Sequence, residues 1–180
     1  MLTVDELSRH IRNVADFPIE GVVFKDITTL LTHPGALRDT VKHMEKACSD
    51  IVFDAVAAIE SRGFIFGSVI AAEHDLPLVL IRKPGKLPAD TVSEEYTLEY
   101  GTNTVEMHRN SLPEGSRVLI VDDLIATGGS AMAAASLIKK DGCSAAGAVF
   151  VIDLVFLGGG EKLKEAGIPY KALMEVASEG

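Results

Sequence analysis

The chain has 180 residues, of which 47% are hydrophobic and 24% charged, and its 26 acidic residues outnumber 17 basic ones, for a net charge of −9. These values are typical of one folded domain and exclude a disordered or low-complexity chain. The acidic balance argues against a nucleic-acid-binding or membrane-binding surface, and no apolar run approaches the ~20 residues of a membrane span.

Apolar residues recur at helical and strand spacings in alternation through most of the chain. Thr3 and Glu6 form a capping-box pattern that predicts a first helix over residues 4–13. The short, continuous apolar runs that follow are typical of parallel strands covered on both faces. We therefore predict one α/β domain over residues 1–180, with a mostly parallel sheet flanked by helices. The other helices are expected over 34–49, 64–74 and 129–141, and the strands over 55–59, 78–82, 96–100, 104–108, 117–121, 149–152 and 170–174.

Residues 83–95 interrupt this alternation. Two prolines and a glycine break any regular element there, and the cations Lys83 and Lys86 lie close together in an otherwise acidic chain. We predict a mobile loop, followed by a hairpin that turns at Gly101 and Thr102. The cations are either a solvated charge cluster or a means of bringing positive charge to a bound anion.

Two cysteines, Cys48 and Cys143, lie in apolar segments and are too few for a disulfide framework. They predict buried thiols in a reducing compartment. The first ten residues carry acids early and show no signal-peptide core, which favours a cytoplasmic protein. The five histidines are scattered, and no Cys/His spacing indicates a metal centre.

The strongest chemical signal is the stretch from Val118 to Ser130. A predicted buried strand ends in two adjacent carboxylates, Asp122 and Asp123, and a Thr-Gly-Gly-Ser turn then opens a helix. At the carboxyl edge of a parallel sheet, such a turn favours a bound phosphate, while paired carboxylates suit two neighbouring hydroxyls, as on a ribose. Either feature alone indicates only a solvated turn, but their combination predicts a site for a phosphorylated sugar.

This stretch resembles the substrate signature of the type I phosphoribosyltransferases, which use 5-phosphoribosyl 1-diphosphate. The resemblance implies that Asp122 and Asp123 face the ribose hydroxyls. It also implies that the 5′-phosphate is held by a segment that we call the phosphate loop. Its members are Ala126, Thr127, Gly128, Gly129 and Ser130, the last at a position where threonine is commoner in the family.

Further stretches resemble the adenine-specific members of this family, namely residues 21–27, 60–67 and 81–101. By that resemblance, Val23, Phe24 and Lys25 form the adenine pocket, with Phe24 as a flat apolar face against the purine. Lys25 stands where arginine is expected, a change that matters only if a bidentate side chain reads the base. From the residues alone, the favoured interpretation of residues 22–24 is a core strand with Phe24 buried.

The resemblance also implies which residues handle the leaving diphosphate. Ser61 and the catalytic residue Arg62 bind it, next to a cis peptide bond between Glu60 and Ser61. As an isolated residue, Arg62 would be interpreted as a surface cation.

A flexible catalytic loop, about residues 83–103, is implied as well. By resemblance it closes over the diphosphate, with Lys83 as a catalytic cation and Lys86 as a binding cation. Glu99 is the implied acid/base for a proton of the adenine ring, and Tyr100 the implied neighbour of the bound substrate. Taken alone, Glu99 would be a solvated residue at a strand edge.

The function implied by the resemblance is purine salvage, in which adenine and 5-phosphoribosyl 1-diphosphate give AMP and diphosphate. Mg²⁺ is the implied cofactor, held mainly by the substrate and with no protein ligand assigned to it. The implied assembly is a homodimer, and residues 1–33 are the implied small hood. Three alternatives remain open. The chain could use hypoxanthine, guanine, xanthine or orotate, could be a non-catalytic regulator that senses the same diphosphate, or could be an unrelated α/β binding domain.

Overall fold

The computed structural model describes residues 1–98 and 101–178, and these residues contain nine β-strands and six α-helices. The strands are β1 (Arg12–Val14), β2 (Phe24–Asp26), β3 (Ala55–Ile59), β4 (Leu78–Ile81), β5 (Thr91–Leu98), β6 (Gly101–His108), β7 (Arg117–Ile125), β8 (Ser144–Leu154) and β9 (Tyr170–Val176). The helices are α1 (Val4–Ser8), α2 (Thr28–Leu31), α3 (Ala36–Ala47), α4 (Gly63–Glu73), α5 (Gly129–Lys140) and α6 (Gly159–Glu165). Within the described residues, no helix combines the length and the apolar character needed to cross a membrane.

Five strands form one parallel sheet in the order β4-β3-β7-β8-β9. Every residue of β3 is buried, as expected for an interior strand with helices on both faces of its sheet. One face packs against α3 and α4 through Met44 and Phe66, and the other packs against α5 through Leu137. The predicted α/β fold with a mostly parallel sheet is confirmed, and it brings the carboxyl ends of β3, β7 and β8 to one edge.

The N-terminal segment departs from the helix predicted over residues 4–13. The capping box is present, but α1 ends at Ser8, and β1 pairs antiparallel with β2. Arg12 and Asp26 form an ion pair across the two strands, with Nη2 and Oδ2 2.5 Å apart. The helical spacing of Ile11 therefore misled the prediction, because pairing with a segment distant in sequence outweighs local propensity.

The loop predicted over residues 83–95 is shorter than expected. Thr91 begins β5, which pairs with β6, and Gly101 and Thr102 are paired residues of β6 instead of the predicted turn. Val92 is buried against the main core, so β5 is anchored to the domain by its apolar side chain. Prolines and a glycine mark the irregular part correctly but say nothing about where the following strand begins.

Two further differences lie close to the candidate site. The strand predicted over residues 117–121 continues to Ile125, so both adjacent aspartates lie within β7 and do not follow it. Helix α6 was not predicted, because the three glycines from Gly158 to Gly160 indicate a break in the sequence pattern.

Candidate active site

Asp122 and Asp123 lie near the carboxyl end of β7, where β8 still flanks the strand. Asp122 is 8% exposed and Asp123 2% exposed, and Asp122 Oδ1 accepts a hydrogen bond from the Asp123 amide at 2.8 Å. Burial, followed by the neighbouring Asp123 charge, raises the pKa of Asp122 well above its usual value. The pair is thus a buried carboxylate doublet whose ionisation is costly in the absence of a compensating ligand.

Arg62 joins this carboxylate doublet to the predicted adenine pocket. Its Nε donates to Asp123 Oδ2 at 2.5 Å, and its guanidinium carbon lies 5.4 Å from the centroid of the Phe24 ring. The Arg62 side chain is 42% exposed and that of Asp123 is 3% exposed, so the ion pair connects the mouth of the site to its buried floor. The structure brings Arg62 and both carboxylates together, but the sequence gave no sign that Arg62 would pair with Asp123.

The turn from β3 into α4 holds Arg62 in place. The Glu60–Ser61 peptide bond is cis, as the resemblance implied. Gly63 follows Arg62, and a Cβ atom there would lie 2.7 Å from the carbonyl oxygen of Val121 in β7. Only glycine permits this close approach, which sets the start of α4 against the carboxylate doublet.

Glu60 links the same turn by hydrogen bonds to the segment that carries the predicted loop cations. Its Oε2 accepts from Arg82 Nε at 3.2 Å and from the Lys83 amide at 2.9 Å. The carbonyl of Lys86 accepts from Arg82 Nη1 at 3.2 Å. Lys83 and Lys86 are therefore tied by their backbones to the turn that bears Arg62. Sequence reasoning missed Glu60 and Arg82 because the contact joins two segments separated by a helix and a strand.

The phosphate loop leads from β7 into α5. Gly128, the residue before the helix, has φ of +80°, and no side chain caps the helix start. The first amides of a helix have no intrahelical acceptor, so this loop presents hydrogen-bond donors to an anion. At Gly129 a Cβ atom would lie 2.7 Å from the Tyr96 ring, which places β5 directly beside the loop.

The predicted adenine residues lie on and beside β2. A cavity of about 150 Å³ is lined by Val23 and Lys25, together with Val22, Leu154, Phe156, Leu157 and Ser178. Lys25 Nζ donates to Asn13 Oδ1 at 3.0 Å. The Phe24 ring lies outside this lining and contacts the Arg62 guanidinium and, edge-on, the Phe17 ring. The wall supplied by residues 154–157 was not predicted, since the sequence carries no periodic signal there.

Two predicted residues, Glu99 and Tyr100, lie outside the described residues. Of the other predictions, the structure gathers Arg62, the carboxylate doublet, Phe24 and the phosphate loop along one edge of the sheet. Ser61 is exposed at the same turn. Among the described residues no group of three or more Asp, Glu, His or Cys side chains is placed to hold a metal ion.

Another buried carboxylate, outside the doublet, lies behind the phosphate loop. Asp153 of β8 is 1% exposed and is aligned with Ile125 of β7. Its Oδ2 accepts from the Tyr170 hydroxyl at 2.8 Å, while its Oδ1 is buried without a partner among the described residues. Burial is the main reason that the pKa of Asp153 is raised.

The substitution Tyr170→Phe is expected to lower the free energy of unfolding by about 1–3 kcal/mol at neutral pH, because it leaves the buried Asp153 carboxylate without a donor. Since the pKa of Asp153 is raised in the folded state, its ionisation costs stability above that pKa, and the cost disappears as pH falls toward the usual value. Urea unfolding should therefore show a larger loss at about pH 7.5 than at about pH 5. An equal loss at both pH values would contradict this account.

Comparison with known proteins places this geometry in a family. Residues 26–171 match the family model described as a phosphoribosyl transferase domain. The adenine phosphoribosyltransferase of Erythrobacter litoralis is 49% identical over 173 residues, covering 96% of this chain and 97% of that protein. The adenine phosphoribosyltransferase of Gloeobacter violaceus is 50% identical over 160 residues, covering 89% and 94%.

Solved structures agree with the sequence matches. The adenine phosphoribosyltransferase of Thermoanaerobacter pseudethanolicus superimposes with a TM-score of 0.93 at 42% identity, covering 97% of this chain and 100% of that one. The enzyme of Saccharomyces cerevisiae, complexed with an imino-altritol bisphosphate and adenine, gives a TM-score of 0.86 at 36% identity, covering 94% and 97%. The chain therefore belongs to the phosphoribosyltransferase family, among its adenine phosphoribosyltransferases.

Proposed function

We propose that this protein transfers the 5-phosphoribosyl group from 5-phosphoribosyl 1-diphosphate to adenine, releasing AMP and diphosphate, and so acts in purine salvage. The observation that carries the proposal is the alignment of Phe24, Arg62, the carboxylate doublet and the phosphate loop along one sheet edge. The yeast relative, solved with adenine and a sugar bisphosphate analogue, supports it.

In the proposed reaction the bond between C1′ and the diphosphate oxygen breaks as the adenine nitrogen approaches C1′. Positive charge develops on the ribose ring, so the protein has to orient two substrates and stabilise charge, without a covalent nucleophile. Asp122 and Asp123 would bind the ribose hydroxyls, and the phosphate loop would bind the 5′-phosphate. The phosphoribosyl group is thereby held at its ribose hydroxyls and at its 5′-phosphate, which fixes C1′ relative to an adenine bound beside Phe24.

Arg62 would exchange partners during this reaction. Without substrate its guanidinium neutralises Asp123 and covers Phe24. A diphosphate carries more negative charge than one carboxylate, and the half-exposed Arg62 side chain is free to turn toward it. We propose that Arg62 binds the leaving diphosphate, which frees Asp123 for the ribose and Phe24 for the purine.

Mg²⁺ is the cofactor that we propose, carried into the site by the diphosphate. Magnesium prefers oxygen ligands and is commonly held by substrate phosphates, waters and one or two carboxylates. The two hard carboxylates of the doublet fit this chemistry, while the described residues offer no larger ligand set. Asp122 and Asp123 would help to hold the ion, which when bound would neutralise the charge on the departing diphosphate.

The loop that follows β4 would complete the site. Lys83 and Lys86 are exposed, and Glu60 fixes the backbone where this segment begins. We propose that both cations reach the diphosphate when the loop closes, with Tyr100 beside the bound substrate, and that closure excludes water from the reactive ribose. Residues 1–33 would form a hood over the adenine side.

We expect Glu99→Gln to lower kcat more than it raises KM, because the proposed role of Glu99 is to handle an adenine proton in the transition state. The measurement is the dependence of kcat on pH for both proteins, with Glu95→Gln, an exposed glutamate of β5, as the matched control. A pH profile identical to that of the unchanged protein would remove Glu99 from the proton transfer.

Two features of the protein in the cell are also proposed. The homodimer is an expectation from the family resemblance. A cytoplasmic location is supported by Cys48 and Cys143, which are both buried as free thiols, as the sequence predicted.

The assay that tests the function mixes the protein with Mg²⁺, 5-phosphoribosyl 1-diphosphate and one free base at a time. We expect AMP from adenine and far less nucleotide from hypoxanthine, guanine, xanthine or orotate. If another base gave more nucleotide than adenine, that base would be the substrate and the proposed use of adenine would be wrong. Absence of nucleotide from every base, with retained binding of the diphosphate, would support a non-catalytic sensor, and a gel shift at physiological salt would then identify nucleic acid as its partner.

A further inference from the structure

The start of α6 lies directly behind the phosphate loop. The Gly159 amide donates to the carbonyl of Ala126 at 3.0 Å, and Lys162 Nζ donates to the carbonyl of Thr127 at 2.8 Å. Two successive carbonyls of the loop are therefore fixed from the same side by one short helix. Because a peptide plane carries its carbonyl and its amide on opposite edges, this fixes the direction in which the following amides point.

Backbone contact between the two segments is unusually close. A Cβ atom on Gly159 would lie 2.3 Å from the Ala126 carbonyl oxygen and 2.7 Å from the Gly128 nitrogen. A Cβ atom on Gly128 would in turn lie 3.0 Å from Gly159 Cα. Glycine in both segments allows their backbones to come into contact. This contact explains the run of glycines that the sequence pattern indicated only as a break.

The next layer holds α6 itself in position. A Cβ atom on Gly160 would collide with the Tyr170 hydroxyl, so the Tyr170 ring lies against the first turn of α6. The hydroxyl donates to the buried Asp153. Asp153, Tyr170, Gly160 and Gly159 thus form a continuous series of contacts from β8 to the back of the phosphate loop.

Lys162 differs in its partner from the neighbouring lysine of the same helix. Lys164 Nζ pairs with the carboxylate of Glu161 at 2.7 Å and lies 5.5 Å from the centroid of the Tyr170 ring, without a hydrogen bond to the phosphate loop. Lys162 instead places its ammonium on a loop carbonyl, where the charge both orients the peptide and adds positive potential behind the anion site. The two residues share chemistry, helix and exposure, but only one contacts the loop.

We propose that Lys162 and Gly159 are positioning residues for the 5′-phosphate, acting through the carbonyls of Thr127 and Ala126. This inference rests on the proposed role of residues 126–130 as the phosphate loop. Lys162 sets the affinity for the phosphorylated sugar and leaves the affinity for adenine unchanged. It touches neither substrate and is not a catalytic residue.

The test compares Lys162→Met with Lys164→Met in the full-length protein. We expect Lys162→Met to weaken binding of ribose 5-phosphate about tenfold and to raise KM for 5-phosphoribosyl 1-diphosphate by a similar factor. KM for adenine and kcat should change by less than about twofold. Lys162→Arg should recover most of the lost affinity, and Lys164→Met should behave like the unchanged protein.

The results separate this inference from the function on which it rests. Unchanged binding of ribose 5-phosphate by Lys162→Met, or an equal rise in KM for adenine, would overturn the positioning role while the proposed reaction stands. If the unchanged protein binds ribose 5-phosphate no more tightly than ribose, the phosphate loop assignment fails, and this inference fails with it. Thermal unfolding of each variant shows whether a change in affinity reflects a folded protein.

Discussion

Replacing Arg62 with alanine is expected to lower kcat/KM about 100-fold, because the proposed diphosphate contact supplies charge stabilisation at the leaving group. The same substitution leaves Asp123, which is 2% exposed, without its cation. We therefore also expect the free energy of unfolding to fall by about 1–3 kcal/mol at neutral pH. Steady-state kinetics and urea unfolding of one preparation measure both effects.

A double variant separates the catalytic effect of Arg62 from its structural one. Asp123→Asn in the Arg62→Ala background removes the unpaired buried charge, so stability should return toward that of the unchanged protein while kcat/KM stays low. Arg117→Ala serves as the matched control, because Arg117 is a similarly exposed arginine that pairs with Asp54 at the opposite end of β7 from the doublet. Wild-type turnover by Arg62→Ala would remove Arg62 from the site.

The second large effect is expected at Asp122. The substitution Asp122→Asn keeps an oxygen that can accept the hydrogen bond from the Asp123 amide and removes a charge that burial and Asp123 both disfavour. We expect stability to rise by about 1 kcal/mol at neutral pH and kcat/KM to fall about 100-fold. A gain in stability coupled to a loss of activity is typical of a residue held in a strained electrostatic state for its function.

The stability gained by Asp122→Asn should depend on pH in one direction only. Because the folded-state pKa of Asp122 is raised, ionisation destabilises the fold above that pKa, and the penalty is lost as pH falls toward the usual value. The advantage of Asp122→Asn should therefore shrink on acidification. A stability gain that grows as pH falls would contradict this account.

Asp54 provides the control of opposite sign. Its hydrogen bonds and ion pair with Arg117 lower its pKa to about 2, so the stability it contributes is present at neutral pH and is lost as pH falls. Asp54→Asn should accordingly lose stability at neutral pH and keep its activity. If both aspartate variants respond to pH in the same direction, the pKa of Asp122 is not governed by burial as proposed.

Much of the fold follows from local pattern in the sequence. The apolar run over residues 55–59 predicts β3 within its observed bounds, since a strand buried on both faces requires continuous apolar residues. Where local pattern and distant pairing compete, local pattern fails. Ile11 fits the spacing of a helix, yet the following residues pair with β2. The glycines at the start of α6 indicate only a break in the sequence pattern. The residues that require glycine there, Ala126 and Tyr170, are distant in sequence.

The residues of the candidate site likewise fall into those predictable from local pattern and those that depend on distant contacts. Asp122, Asp123 and the phosphate loop are contiguous, so their spacing alone predicts a sugar-phosphate site. Glu60 and Lys162 reach the site through contacts between distant segments, and as single charged residues they resemble any solvated side chain. The Arg62 ion pair belongs to the same class, since nothing local distinguishes an arginine that faces solvent from one that faces Asp123.

The central claim is that the carboxylate doublet and the phosphate loop together bind one phosphorylated sugar. A crystal structure of the protein with AMP tests it most directly. We predict carboxylate oxygens of Asp122 and Asp123 within hydrogen-bond distance of the ribose hydroxyls, and the 5′-phosphate enclosed by the amides of residues 127–130. A ribose phosphate bound elsewhere, with the doublet still buried and without a contact to the sugar, would contradict the claim.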